Sequence, residues 1–283
     1  MRIGITGASS SIGKATMQYF ASRGIESVQM GRNPGQRPFQ LGDPVEPSSV
    51  KDLSGVVHLA WDRSCGLKGS TKADRNVVGS EHLLSACRRA GVPAVFLSTT
   101  SANFPQFSLY GASKLKVERI ALGLGVRTFR AGIIWGGDIP PILNSLSAIS
   151  NFPFLMPRVV PEIGMDHNHE SYVCSRLLTA LESGFGYETN TVSTSQERFK
   201  LSSAMSAFRK RRAPVVINIP AGPMARAARL LRDSTSFQTS RLDSLALLGS
   251  TIPLSQYDPN YPRDLGEQAL LNWLESTSVV GKF

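Results

Sequence analysis

The chain opens on the stretch Arg2-Ile-Gly-Ile-Thr-Gly-Ala-Ser-Ser-Ser-Ile-Gly-Lys14, which decides the fold. A short apolar run reaches Gly7, passes through small residues to Gly13, and continues into apolar residues at helical spacing. This order predicts a strand, a tight turn and a helix. Such a turn directs backbone N–H groups and a helix N-terminus at one point, which is the geometry that binds a pyrophosphate.

The glycine spacing in this stretch predicts a dinucleotide-binding turn. Gly7 would permit the turn, and Gly13 would let the helix pack against the strand. A serine, Ser10 or Ser11 depending on how the turn is counted, stands where the fingerprint usually has its middle glycine. Its small side chain still allows close approach and can donate to a phosphate, although an ordinary β–α turn also explains the stretch taken alone. The predicted cofactor-binding residues of this stretch are Gly7, Ser9, Ser10, Ser11, Ile12 and Gly13.

Composition limits the class of protein. With 283 residues and 41% hydrophobic content, the chain can form a large core in one or two domains. No apolar run approaches the roughly 20 residues of a spanning helix, and no leader precedes the first strand, so we expect a soluble cytoplasmic protein without membrane contact. Three scattered cysteines predict reduced thiols and no metal site. The net charge of +10 favours anionic ligands without selecting among them.

Strand and helix patterns alternate through the first half of the chain. This predicts an α/β fold, a Rossmann-type doubly wound parallel sheet with a small C-terminal substrate-binding lobe. A short third strand is expected at residues 39–43, where it would deliver Asp43 to a strand end. The expected dinucleotide-binding domain is 1–137, rejoined by about 166–184 and by the strand within 214–220, and the substrate lobe comprises 138–165, 185–213 and 221–283.

The end of the second predicted strand bears on the choice of cofactor. Gly31-Arg32 stands there, without the Asp or Glu that would bind the ribose 2′-OH of NAD. An arginine at this place accommodates the 2′-phosphate of NADP, so the sequence favours NADP over NAD. The alternative interpretation of Arg32 is a solvated loop charge.

A pair of residues one helical turn apart predicts the chemistry. Tyr110 and Lys114 lie on one face of a predicted helix, and an ammonium that close lowers the pKa of a tyrosine from its ordinary value of about 10. The tyrosine could then exchange protons with a carbonyl or an alcohol. A hydroxyl at the preceding strand end, Thr100 first and Thr99 second, would orient the reacting oxygen. In most proteins such a pair is a surface pair, but this one follows a nucleotide turn.

Several motifs in this order resemble the short-chain dehydrogenase/reductase superfamily, in particular its extended branch of nucleotide-sugar epimerases, dehydratases and reductases. The resemblance covers about the first half of the chain. The motifs are Thr6-Gly-Ala-Ser-Ser-Ser-Ile-Gly13, Val57-His-Leu-Ala60, Asn76-Val-Val-Gly-Ser80, Leu97-Ser-Thr-Thr100, Tyr110-Gly-Ala-Ser-Lys114 and Arg130-Ala-Gly-Ile-Ile-Trp-Gly136.

The resemblance implies a role for individual residues. Tyr110 would be the acid/base, Lys114 would hold the nicotinamide ribose, and Thr100 would be the catalytic Ser/Thr. Further cofactor contacts are implied for Asp43 at the adenine, for Leu59 and Ala60 along the cofactor, and for Asn76, which buttresses the central helix. The helices at 73–90 and 108–124 match a pair that forms a four-helix dimer interface in the family, so a homodimer is expected.

The chain also departs from the family pattern. The segment between Thr100 and Tyr110 is shorter than in most nucleotide-sugar members, and His169-Glu-Ser-Tyr172 lacks the usual aspartate. A sugar diphosphate needs a basic partner. The candidates are Arg158, Arg226, Arg229 and Arg232.

The leading interpretation is an NAD(P)-dependent epimerase or reductase that acts on a nucleotide-linked sugar by hydride transfer. A non-sugar carbonyl reductase of the same superfamily and a non-catalytic NAD(P)-sensing protein are the alternatives. A nucleic-acid binder has only the positive charge in its favour, so no nucleic-acid partner is expected. The sequence does not name the sugar or the nucleotide.

Overall fold

The computed structural model describes residues 1–62, 75–103, 105, 108–138, 143, 147, 150, 155–160, 162, 164–186, 189–191, 199–209, 215–220, 222, 223, 226 and 267–280. The chain divides into two compact units, one of residues 1–131 and 170–191 and the other of residues 132–169 and 192–283.

The strands and helices of the described residues are numbered in chain order. The strands are β1 (Arg2–Thr6), β2 (Glu26–Gly31), β3 (Arg37–Pro38), β4 (Gly55–His58), β5 (Ala94–Thr99), β6 (Arg127–Ala131), β7 (Ile133–Trp135), β8 (Leu155–Val160), β9 (Gly164–Met165), β10 (His167–His169), β11 (Thr189–Thr191), β12 (Phe199–Lys200) and β13 (Val215–Pro220). The α-helices are α1 (Ser11–Ala21), α2 (Arg75–Ala90), α3 (Leu109–Gly123), α4 (Glu170–Glu182), α5 (Leu201–Phe208) and α6 (Glu267–Val280).

The first unit is built on one parallel sheet with the strand order β11-β6-β5-β4-β1-β2-β3. The chain leaves β1 toward β2 on one side and returns to β4 on the other, so the strand order reverses beside β1. In sheets of this kind the ligand crevice lies at the carboxyl ends of the strands at that reversal. The predicted Rossmann-type, doubly wound sheet is confirmed.

The core of the first unit forms because its central strands carry apolar residues on both faces. All four residues of β4 are buried, as expected for a parallel strand covered on both sides. Helix α2 packs against α3, and α1 packs against α4. Leu83, Leu84 and Cys87 of α2 and Val117 of α3 join the strand residues in one apolar cluster.

The second unit contains short strand pairs: β10 with β7, β12 with β9, and β13 with β8. Its apolar cluster surrounds Trp135 and includes residues of α5 and α6 such as Phe208 and Leu270. No helix in the described part of the chain is both long and apolar enough to cross a membrane.

The structure differs from the sequence-based expectation at two strands. The sequence predicts that the strand within 214–220 rejoins the nucleotide-binding sheet, but β13 pairs with β8 in the second unit, and β11 is the strand that joins β6. An apolar run predicts a strand but not which strand it pairs with. The segment Thr189–Thr191 has only three residues and none is apolar, so it shows no apolar/polar alternation. The prediction of a strand at 39–43 is also wrong. The third strand, β3, is Arg37–Pro38, and the chain turns at Gly42, whose φ is +96°.

Candidate functional site

The glycine turn between β1 and α1 has the close approach that its sequence predicts. A Cβ atom at Gly13 would lie 2.3 Å from the carbonyl oxygen of Gly7, and one at Gly7, where φ is +69°, would lie 2.8 Å from the nitrogen of Ala60. Both positions therefore require glycine. The turn brings the backbone of Gly7, the start of α1 and the segment after β4 together at the crevice.

Ser10 occupies the place of the middle glycine. It is the N-cap of α1, with an extended backbone; its Oγ accepts from the Gly13 N–H at 3.1 Å and donates to the Gly7 carbonyl at 2.7 Å. The hydroxyl therefore forms its hydrogen bonds with the backbone of the turn, as the side chain of an N-cap serine usually does. Ser9 is exposed, and Ser11 and Ile12 are half-buried at the first turn of α1, which carries no acidic residue. An anion can therefore approach this helix N-terminus without repulsion from the first turn.

A chain of hydrogen bonds fixes the segment that follows β4. The Oγ1 of Thr6 accepts from the N–H groups of Leu59 and Ala60, each at 3.1 Å, so its own hydrogen is directed to Nδ1 of His58 at 2.7 Å. This leaves the imidazole hydrogen on Nε2. That atom lies 2.8 Å from the Oγ of Ser80, which itself donates to the carbonyl of residue 76 at 2.6 Å. The chain joins β1, β4 and α2.

His58 is neutral within this chain. Burial, and to a lesser extent the Lys114 charge, lower the pKa of its imidazole to about 3. A neutral ring with one donor and one acceptor nitrogen is what the hydrogen bonds require. The sequence motif contains His58 without revealing this role. The sequence does show that Thr6 and His58 are polar residues at the ends of two apolar runs. These runs are the neighbouring strands β1 and β4.

Asn76 acts on the same segment from α2. Its Oδ1 accepts from the Asp62 N–H and its Nδ2 donates to the Asp62 carbonyl, both at 2.8 Å, and the side chain is buried. Both ends of the amide are therefore used to hold the backbone after Ala60. In this structure Asn76 shapes the segment that contains the predicted cofactor-lining residues Leu59 and Ala60.

The Tyr110–Lys114 pair lies on the first turns of α3. Ser108 caps the helix by accepting from the Gly111 N–H at 2.8 Å. Lys114 is only 3% exposed, and its Nζ donates to the carbonyl of Leu97 at 2.7 Å. The same Nζ lies 5.8 Å from the centre of the Tyr110 ring, and Tyr110 is 40% exposed. A buried amine thus stands beside a solvent-accessible tyrosine.

Burial changes the acidity of Lys114. Loss of solvation lowers the pKa of its amine to about 7, and the Glu118 carboxylate opposes that shift. The Glu118 carboxylate itself pairs with the guanidinium of Arg130, through Nε and Oε1 at 2.8 Å and through a second bond between Nη2 and Oε2. The lysine therefore changes its charge near neutral pH.

The two candidate threonines lie at the end of β5. Thr99 is the last residue of the strand, and its Oγ1 lies 3.3 Å from the Ser101 N–H, which donates to it. Thr100 begins the short 3₁₀ helix Thr100–Asn103 and is half-buried. Arg130 donates to the Asn103 side chain at the other end of this helix. The turn that carries Thr100 is therefore tied to β6, and through Glu118 to α3.

Two predicted cofactor residues stand apart from this network. Arg32 is exposed just after β2. Asp43 is exposed and accepts from Nε2 of Gln40 at 3.2 Å. Among the described residues, no hydrogen bond joins either of them to the turn or to the Tyr110–Lys114 pair.

The remaining candidates lie elsewhere. Arg158 and Arg226 are exposed in the second unit. Arg229, Arg232 and Cys65 lie outside the described residues, while Cys87 and Cys174 are buried thiols whose pKa burial raises to about 12 and about 11. In the described part of the chain, no group of three or more His, Cys, Asp or Glu side chains is placed to hold a metal ion.

Comparison with solved structures supports the fold. The structure of UDP-N-acetylglucosamine 4-epimerase from Bacillus cereus matches with a TM-score of 0.60 and 20% identity, over 88% of this chain and 99% of that one. dTDP-glucose 4,6-dehydratase from Bacillus anthracis, in complex with NAD, matches with a TM-score of 0.62 and 14% identity, over 99% and 98% of the two chains. UDP-glucose 4-epimerase from Thermus thermophilus, in complex with NAD, matches with a TM-score of 0.55 and 19% identity, over 89% and 100%.

The first half of the sequence is similar to one known family. No curated protein matches the chain. The model of the NAD dependent epimerase/dehydratase family matches residues 3–128, a range that contains the glycine turn, Asn76, Thr100, Tyr110 and Lys114. Over residues 3–128, the sequence of this chain is therefore similar to that of the NAD dependent epimerase/dehydratase family.

Proposed function

We propose that this protein is an NAD(P)-dependent epimerase or reductase of a nucleotide-linked sugar, with Tyr110 as its acid/base. The observation that carries the proposal is the buried Lys114 amine one helical turn from a solvent-accessible Tyr110, at the end of β5 and in the same unit as the glycine turn. The similar structures named above, which are those of enzymes of UDP- and dTDP-sugars, support the choice of substrate class.

The residues of the first unit fit a dinucleotide. The N–H groups between Gly7 and Gly13 and the start of α1 would hold the pyrophosphate, because no Cβ fills the space between the turn and Ala60. Leu59 and Ala60 would line the cofactor on a backbone that Thr6 fixes. Lys114 would hold the nicotinamide ribose. When bound, the nicotinamide supplies reversible hydride exchange with a sugar carbon.

The protein's own part in the reaction is proton transfer at the sugar oxygen. The Tyr110 phenolate would accept the proton of the substrate alcohol as the carbonyl forms, and the resulting hydroxyl would return that proton as the carbonyl is reduced. The Lys114 ammonium would stabilise the phenolate that exists before the first proton transfer and after the second, because an opposite charge at short range favours the charged form. Thr100 would donate a hydrogen bond that orients the same oxygen.

The decisive experiment compares Tyr110→Phe with the unmodified protein. Removing the hydroxyl keeps the ring and its packing, so we expect the dissociation constant of the cofactor to stay within about threefold while turnover falls by about 10² to 10⁴ fold. Turnover is measured by nicotinamide absorbance, or by loss of label from a deuterated sugar carbon, over a panel of UDP-, GDP- and dTDP-sugars and simple carbonyl compounds. Tyr19→Phe is the matched control, because Tyr19 stacks on Arg23 outside the site.

The outcomes separate the candidate functions. Equal turnover in the two proteins would remove Tyr110 from the mechanism. Turnover of the simple carbonyl compounds alone would favour the non-sugar reductase. Tight cofactor binding without turnover of any compound would favour the sensing protein.

For the cofactor we propose a preference for NADP(H), based on the exposed Arg32 after β2 and the absence of an acid there in the sequence. A charge-assisted contact with the 2′-phosphate is worth about 1.5 kcal/mol at such an exposed place. Arg32→Ala should therefore reduce the ratio of the NAD to the NADP dissociation constants by about tenfold in a calorimetric titration. Equal affinities for both cofactors in the unmodified protein would contradict the preference.

We also propose that the protein is a homodimer that associates through α2 and α3. Leu83 and Cys87 are fully buried inside the first unit and cannot contribute to a partner surface. Val78 on α2 and Leu122 on α3 are 36% and 42% exposed and remain available for one.

A further inference from the structure

The Lys114 ammonium is surrounded by aromatic rings. Its Nζ lies 4.1 Å from the centre of the Trp61 ring and 4.5 Å from the centre of the Phe96 ring. One of its donors goes to the Leu97 carbonyl. Among the described residues it forms no salt bridge, since the carboxylate of Glu118, one turn along α3, is paired with Arg130.

These contacts stabilise the charged form of a buried amine. An ammonium taken out of water needs compensation, and here the Leu97 carbonyl and the two ring faces provide it. Trp has the most negative ring face of the aromatic side chains, and Trp61 is the nearer of the two rings. Loss of its ring face would therefore make the charged form of Lys114 less favourable.

Trp61 contacts both members of the pair. Its ring meets the Tyr110 ring edge-to-face, with centres 5.7 Å apart at 88°. The backbone position of Trp61 is also fixed, because the Asn76 side chain forms two hydrogen bonds with the backbone of the next residue, Asp62. The indole therefore contacts both the tyrosine and the lysine from a backbone that Asn76 holds in place.

We propose that Trp61 is a positioning residue of the Tyr110–Lys114 pair, whose indole face keeps the Lys114 ammonium charged and in place beside Tyr110. The consequence for turnover rests on the proposed function. The effect on Lys114 itself rests only on the contacts described above.

The test replaces Trp61 in two ways. Trp61→Leu fills much of the space without a ring face, and Trp61→Phe keeps an aromatic face. The titration of Lys114 is followed by the ¹³Cε resonance of labelled lysine, assigned by its loss in Lys114→Met.

The other ionisable groups that face the amine are Tyr110 and Glu118 on α3 and the neutral His58 on β4, and all of them are unchanged in both variants. A desolvated cation–π contact corresponds to about a 30-fold change in protonation equilibrium, so the Lys114 midpoint should fall by about 1 to 1.5 pH units in Trp61→Leu and by less than half of that in Trp61→Phe.

Turnover supplies the second measurement. If only the charged lysine supports Tyr110, the loss of rate in Trp61→Leu should be about threefold at pH 6 and approach about 30-fold at pH 8. Trp61→Phe should lose no more than about fivefold at pH 8. A purely structural defect would give the same loss at both pH values and would overturn the proposal. An unchanged Lys114 midpoint in Trp61→Leu would also overturn it. If the Lys114 midpoint shifts in Trp61→Leu but the unmodified protein turns over no substrate, the effect of Trp61 on Lys114 is supported. That outcome contradicts the proposed function instead.

Discussion

At the residue scale, Lys114 links the site to the stability of the first unit. The pKa of its amine is about 7 in the folded protein, against about 10.4 in an unfolded chain. Between these values the unfolded chain binds the proton that the folded protein has released, so the free energy of unfolding rises with pH from about 7 to about 10. Below pH 7 both states are charged, and the full cost of the buried charge remains.

Lys114→Met should therefore be more stable than the unmodified protein at pH 6 to 7, with the difference shrinking toward pH 10. The replacement also removes the bond to the Leu97 carbonyl and the ring contacts, so we expect a net gain of about 1 to 2 kcal/mol at pH 6.5. Urea unfolding at pH 6.5, 8 and 9.5 measures both curves. A constant difference across this range would show that the lysine does not titrate as described.

At the scale of elements, α2 has a buried face with polar residues and an exposed face. Asn76 binds the backbone of Asp62 after β4 and Ser80 bonds to His58 at the end of β4, while Val78 is exposed. Helical periodicity in the sequence separates such faces, because residues three or four apart share one. It does not reveal that the buried polar residues hold a particular backbone segment.

The homodimer proposal gives a prediction for the exposed face of α2. Val78→Glu places a charge on the proposed partner surface without disturbing the buried side, so the mass should change from dimer to monomer by light scattering at micromolar protein. Val216→Glu, on the exposed strand β13 of the second unit, is the matched control and should leave the mass unchanged. A monomeric mass for the unmodified protein would exclude the dimer.

At the scale of the whole molecule, each unit contains one buried histidine whose pKa is lowered. Burial lowers the pKa of His58 to about 3 in the first unit and that of His167 to about 4 in the second, where the indole N–H of Trp135 donates to its Nδ1 at 3.2 Å. An unfolded histidine binds a proton below about pH 6.5, so both units lose stability as the pH falls from there.

We expect each unit to lose about 2 kcal/mol of its free energy of unfolding between pH 7.5 and pH 5 from its histidine alone. His167→Gln should flatten the decline for the second unit, as measured by the fluorescence of Trp135 and Trp273 during urea unfolding at both pH values. Equal declines in the variant and the unmodified protein would assign the acid sensitivity to other groups.

The sequence by itself determined the local features of this protein. The glycine spacing from Gly7 to Gly13, the alternation of strand and helix, and the Tyr110–Lys114 spacing are set by steric demands and periodicities within a few residues, so they can be read along the chain. The order of these motifs was sufficient to predict the doubly wound sheet.

The tertiary structure decided everything that joins distant segments. Thr6 and His58 are 52 residues apart in the chain, and their bond exists because β1 and β4 lie side by side. Folding likewise surrounds Lys114 with Trp61 and the end of β5, and places β13 in the second unit. Burial, strand partners and the resulting pKa of a lysine depend on which groups exclude water from one another, and that is fixed only when the elements pack.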